Sequence, residues 1–233
     1  MIRAGIILMM LLLSSCDRND APVSPAAPVT PKDSVITTAF PPKFVSVNYI
    51  ELDKIERISK FRSGIGHDYR DDAESCRSMK HYYQPLSNVN WGSVKIFSPV
   101  TGTVSRTIEE WAGTQVWITP KDYPAFTFII FHIAGLKPFA VGDTMIAGAQ
   151  IGTHIGSQTM SDIAVAYSAG GKWKLISFAE VMTDSLFARY QARGVAARDS
   201  LIISKTARDA DPLGCSGDTF GSSGTLPNWV VLK

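Results

Sequence analysis

Apolar positions along this chain come in short runs broken by single glycines, without the long helical stripes of a bundle protein. Phe97-Ser98-Pro99-Val100-Thr101-Gly102-Thr103-Val104 is one such run, and Val141-Gly142-Asp143 through Gly148-Ala149-Gln150-Ile151-Gly152 is a second. Glycines at these intervals let a strand turn sharply or bulge. Between the two lies Phe126-Thr127-Phe128-Ile129-Ile130-Phe131-His132-Ile133, rich in β-branched and aromatic residues and too short to cross a bilayer. It predicts a buried central strand with His132 near its end. Val45, Val47 and Tyr49 alternate with Ser46 and Asn48, which predicts a first strand over 44–52. Further strands are expected over 94–97, 102–108 and 115–119, two short ones over 141–153, and a hairpin of 162–167 with 173–181 around Ala169-Gly170-Gly171. Helical signal comes late. Thr183-Asp184-Ser185 offers an N-cap before Leu186, Phe187 and Tyr190, and Gly194 closes that helix. Residues 200–208 read equally as a strand or a second short helix, and Trp229-Val230-Val231-Leu232 predicts a terminal strand. The expected class is mainly β, with one or two short C-terminal helices.

Composition narrows the partners. The chain has 233 residues, 45% hydrophobic and 19% charged, enough for one well-buried domain. A formal net charge of +2 with both signs scattered gives no basic stripe, so nucleic acid is not an expected partner. Arg3 precedes an apolar run from Ile6 to Leu13 that suits a signal-peptide core. The run continues into Leu13-Ser14-Ser15-Cys16, which resembles the lipobox of bacterial lipoproteins. That resemblance implies acylation of Cys16, palmitate included, and a protein anchored to a bacterial membrane and facing the periplasm or exterior; more than one acyl chain makes such anchoring stable. Six prolines among small and polar residues follow before residue 43 and predict an extended, unordered tether. The expected organisation is therefore signal peptide and lipobox over 1–16, tether over 17–42, and a single β-rich domain over 43–233.

With Cys16 acylated, Cys76 and Cys215 remain, and in an oxidising compartment a disulfide is the default, with paired thiolate metal ligands as the alternative. The most polar stretch, Gly64 to Pro85, holds two His, three Asp, one Glu, two Arg, one Lys and three Tyr without periodicity. Loops carrying such mixtures are where binding residues sit, although the charges could instead pair among themselves on a solvated face.

Ser98 to Val104, the strand ending in Phe131-His132-Ile133, and the stretch from Val141 to Gly152 together resemble the lysostaphin-type zinc endopeptidases of bacterial cell walls. The resemblance covers roughly residues 79–166 and implies a duplicated-hybrid-motif, barrel-sandwich β fold. In that family a His and an Asp from an early H-x-x-x-D motif and a His from a late H-x-H motif hold the zinc. Here the nearest early match is His81-Tyr82-Tyr83-Gln84-Pro85, with Pro85 at the place of the Asp, and the late match is Asp162-Ile163-Ala164, with Ala164 at the place of the ligand His. His132 corresponds to a catalytic His on the central strand. Catalytic zinc needs three ligands and an open position, and alanine supplies no lone pair. The resemblance thus implies a non-catalytic relative: an extracytoplasmic binding or regulatory module for peptidoglycan or an envelope protein, with no cofactor. Its groove is expected at His67, Asp68, Tyr69, His81, Tyr83, His132 and Asp162. The alternative is a zinc-dependent peptidoglycan hydrolase with ligands rebuilt from His81, His132 and Asp162.

Overall fold

The computed structural model describes residues 41–169 and 171–233. The signal peptide, Cys16 and all but the end of the expected tether lie outside the described residues. The chain forms β1 (Ile55–Ser59), β2 (His81–Pro85), β3 (Lys95–Phe97), β4 (Gly102–Glu110), β5 (Gly113–Pro120), β6 (Phe126–Gly135), β7 (Thr144–Met145), β8 (Gln150–His154), β9 (Ser161–Ala169) and β10 (Lys172–Ile176). Three short helices follow, α1 (Phe178–Val181), α2 (Asp184–Gln191) and α3 (Lys205–Ala210), and then β11 (Cys215–Ser216), β12 (Thr219–Phe220) and β13 (Trp229–Val231). The fold is mainly β, as the glycine-broken runs predict.

Eleven strands make one antiparallel sheet in the order β13-β1-β2-β9-β6-β5-β4-β7, with β10 added to β9 and β8 bridging β3 and β6. Its two central strands, β6 and β9, are covered on both faces. Phe128, Ile130, Ile163 and Val165 point into the main core with Tyr83, Phe178 and Tyr190, whereas Ile129, Phe131, Ala164 and Ala166 point into a second cluster under Phe61, Met79 and Leu175. Successive side chains of a strand alternate between faces, so a continuous apolar run is what a doubly covered strand requires.

Two expectations need correction and one open choice is decided. Residues 44–52 form isolated bridges (Val45 to Met182, Ile50 to Ile96) and no strand, because their backbone bonds scatter to Val181, Lys95 and Phe97. The hairpin expected to run to 181 stops at β10, where Ser177 and Glu180 form a reciprocal capping box that starts α1. Within 200–208 the chain makes a 3-10 turn over Arg198–Leu201 and then α3, capped by the Ser204 side chain. The late helix is as expected, with the Thr183 hydroxyl accepting from the Leu186 amide. The disulfide expectation is borne out: Cys76 and Cys215 are bonded with Cα atoms 5.7 Å apart, which fastens the polar loop to the C-terminal arm.

Candidate functional site

The register of β2 on β9 sets the site. Tyr82 lies opposite Asp162 and His81 opposite Ile163, so Tyr82 and Asp162 share the face of Ala164 while His81 shares the main-core face of Ile163. Lys80, two residues before Tyr82, falls on the Asp162 side. Its Nζ lies 2.5 Å from Asp162 Oδ2, with the two side chains 1% and 0% exposed.

A bulge brings in the fourth residue. Alternation along β6 would send the His132 ring to the side of Ile130. Between the pairs Thr114–Ile133 and Val116–Ile130, however, β6 carries one residue more than β5. His132 takes φ = 61° there, a left-handed conformation that costs a non-glycine residue about 1–3 kcal/mol. Phe131 and His132 therefore face the same way, and His132 Nε2 comes within 3.2 Å of Asp162 Oδ1 while Nδ1 lies 3.2 Å from the Ala112 carbonyl.

The polar loop closes over this group. His67 Nε2 is 3.3 Å from Lys80 Nζ, and the rings of Phe131, Tyr69 and Tyr82 have centroids 4.1, 4.8 and 4.9 Å from that ammonium. Burial is the largest single influence and works against the Lys80 charge, but the Asp162 carboxylate together with the Tyr82 and Tyr69 hydroxyls outweighs it and pushes the ammonium pKa up. Burial also pushes the Tyr69 hydroxyl up to about 12. Asp68 props the loop, accepting the Arg77 amide at 3.0 Å and meeting Arg70 Nε at 3.1 Å.

Of the residues expected in the groove, His67, Tyr69, His132 and Asp162 come together and Asp68 supports them. His81 and Tyr83 do not join them, because strand alternation turns both into the main core. His81 Nδ1 bonds the Ser59 carbonyl at 2.8 Å, its Nε2 bonds Ser177 Oγ at 2.7 Å, and burial pushes its pKa down to about 4. The Tyr83 hydroxyl meets that of Tyr190 at 3.1 Å. His154, just past the strands expected over 141–153, is fully buried at the end of β8, and burial holds its pKa near 4.

Zinc does not fit the residues present. Among the described residues no three His, Cys, Asp or Glu side chains converge as a metal site. The position between His67 and Asp162 is filled by the Lys80 ammonium, which has no lone pair to give while protonated. Lys80, Tyr82 and Phe131 were not legible as site residues. A lysine in a polar run reads as solvated, and only an assignment of 81–85 as a strand would have placed Lys80 and Tyr82 on one face.

No family model and no curated protein matches the chain. Among solved structures it is similar to a protein assigned as a glycyl-glycine endopeptidase, LytM, from Ruminococcus gnavus ATCC 29149, at 15% identity over 44% of this chain, with a TM-score of 0.34. The chain spans 43% of the length of that protein. It is also similar to a chain of the SpoIIQ-SpoIIIAH pore-forming complex, at 11% identity over 64% of this chain and 98% of that one, with a TM-score of 0.42. Likeness of this degree assigns neither family nor activity.

Proposed function

We propose that this protein is a non-catalytic binding module of the bacterial cell envelope, held to a membrane through acylated Cys16 and built on a scaffold related to cell-wall endopeptidases. One observation supports the reading: the Lys80 ammonium occupies the space between His67 and Asp162, beside His132. A hydrolytic zinc site keeps one coordination position open to water. Here the corresponding space is closed by Phe131, Tyr69 and Tyr82, so the outward surface is left to bind rather than to react.

That surface suits a sugar–peptide polymer. Trp117 stacks on Trp173 with ring centroids 5.6 Å apart, Arg106 lies over Trp117, and Trp111 at the β4–β5 turn next to Ala112 is 83% exposed. Flat ring faces with a few polar groups are the usual means of holding such ligands. Co-sedimentation of the full chain with purified peptidoglycan is expected, and to weaken on Trp111→Ala. Metal content of protein purified without chelators is expected to be far below one zinc per chain. Stoichiometric zinc that is lost on His132→Ala would replace this reading with that of a metal-dependent hydrolase.

A further inference from the structure

We propose that Lys80 and Asp162 become joined by an intramolecular isopeptide bond, made by the folded protein itself, that staples β2 to β9. The reacting groups are in contact at 2.5 Å and are held there by two hydrogen-bonded strands, an arrangement that supplies most of what an acyl transfer between side chains needs in effective concentration. The surroundings are dry: both side chains are buried, and three aromatic rings pack around Nζ. Exclusion of water weakens the advantage of the charged forms over the neutral amine and acid, and it removes the competing nucleophile.

Each reactant also has an imidazole beside it. His67 Nε2, 3.3 Å from Nζ and on an exposed side chain, can take a proton from the nitrogen. The Ala112 carbonyl accepts the Nδ1 proton of His132, so Nε2, 3.2 Å from Oδ1, donates to the carboxyl oxygen from the doubly protonated ring as the carbon becomes tetrahedral. The sequence of events balances. One proton passes from Nζ to Oδ2, leaving an amine and a carboxylic acid. The amine lone pair attacks Cγ and forms the Nζ–Cγ bond. A second proton then passes from Nζ to Oδ2, the oxygen it contacts, while His67 Nε2 accepts a hydrogen bond from the nitrogen. The Cγ–Oδ2 bond then breaks and that oxygen departs as water. Of the three ammonium hydrogens one remains on the amide and two leave in the water, so no oxidant, metal or nucleotide is required. The product is neutral. It removes two buried charges whose desolvation the ion pair must otherwise offset. Because Asp162 holds Lys80 protonated, the first proton transfer is the uphill step, and the bond is expected to form slowly after folding.

The test is a mass measurement on the full chain, aged after purification, then reduced and denatured. The expected chain is lighter by one water. Trypsin is expected to leave the bond after Lys80 uncut and to release a branched peptide joining the Lys80 and Asp162 segments. An unreduced mass, cleavage after Lys80 and a linear Asp162 peptide would overturn the proposal, and this outcome needs no variant that might fail to fold. Lys80→Ala is expected to restore the linear mass. His132→Ala, checked for native circular dichroism, is expected to slow bond formation by about a hundredfold; an unchanged rate would remove His132 from the reaction. A linear chain would leave the proposed binding function standing, so the two readings fail separately.

Discussion

His81 and His132 stand on strands of one sheet with only β9 between them, yet they occupy opposite kinds of environment. His81 lies on the main-core face of an unstrained strand, with a backbone carbonyl on one nitrogen and a serine hydroxyl on the other. Every bond it can make as a neutral ring is made, which is the condition of a structural core histidine. His132 sits in a bulge, in a backbone conformation unfavourable for its side chain, partly exposed and aimed at a buried carboxylate. Strain that the surrounding sheet over-determines is what marks a site. Burial separates the two residues only in degree; backbone conformation and partners separate them in kind.

The sharpest way to break this comparison is to remove the carboxylate on the His132 side. Measured against wild-type chain that still carries the Lys80–Asp162 ion pair, Asp162→Ala leaves the Lys80 ammonium buried without its partner and is expected to cost about 3–5 kcal/mol in urea unfolding. A loss below about 1 kcal/mol would mean that water reaches Lys80 and that the site is not dry. Acid comes next and acts on the other histidines. His81 and His154 have native pKa values lowered to about 4, below the ordinary value of 6.5. The unfolded chain therefore binds protons first as pH falls, so stability from these rings is complete above about pH 6.5 and is lost progressively toward pH 4. Each ring is expected to account for about 2 kcal/mol of the loss by pH 5, and imidazole titration followed by NMR should show both still neutral there. The smallest effect is expected at His132 itself. Glycine relieves the left-handed backbone and forfeits the ring contacts, so His132→Gly should change stability by no more than about 1 kcal/mol, with His132→Ala about 1 kcal/mol worse than glycine. At His81, where the backbone is relaxed, the same pair of variants should not show glycine ahead.

Several elements were open to a reading of the residues alone. The run from Phe126 to Ile133 is too apolar for anything but a doubly covered strand, and the Thr183 cap announces α2. The bond between Cys76 and Cys215 was the default of the two readings that the remaining pair of cysteines allowed. Other elements were closed to it. The mixture of charges from Gly64 to Pro85 hid β2, and without β2 neither the inward turn of His81 and Tyr83 nor the burial of Lys80 could be anticipated. Alternation also predicts the wrong side for His132, because a bulge is a feature of two strands in register and leaves no mark on one of them.

What the residue order determined by itself is local: where the backbone extends, where a side chain caps a helix, and which stretch is apolar enough to lie at the centre. Those outcomes depend on neighbours a few positions away, which a linear pattern contains. Which titratable groups meet was decided only by the tertiary structure. The contact of Lys80 with Asp162 joins positions far apart in the chain, and its chemistry depends on register, on a one-residue bulge and on exclusion of water, none of which is a property of either segment alone.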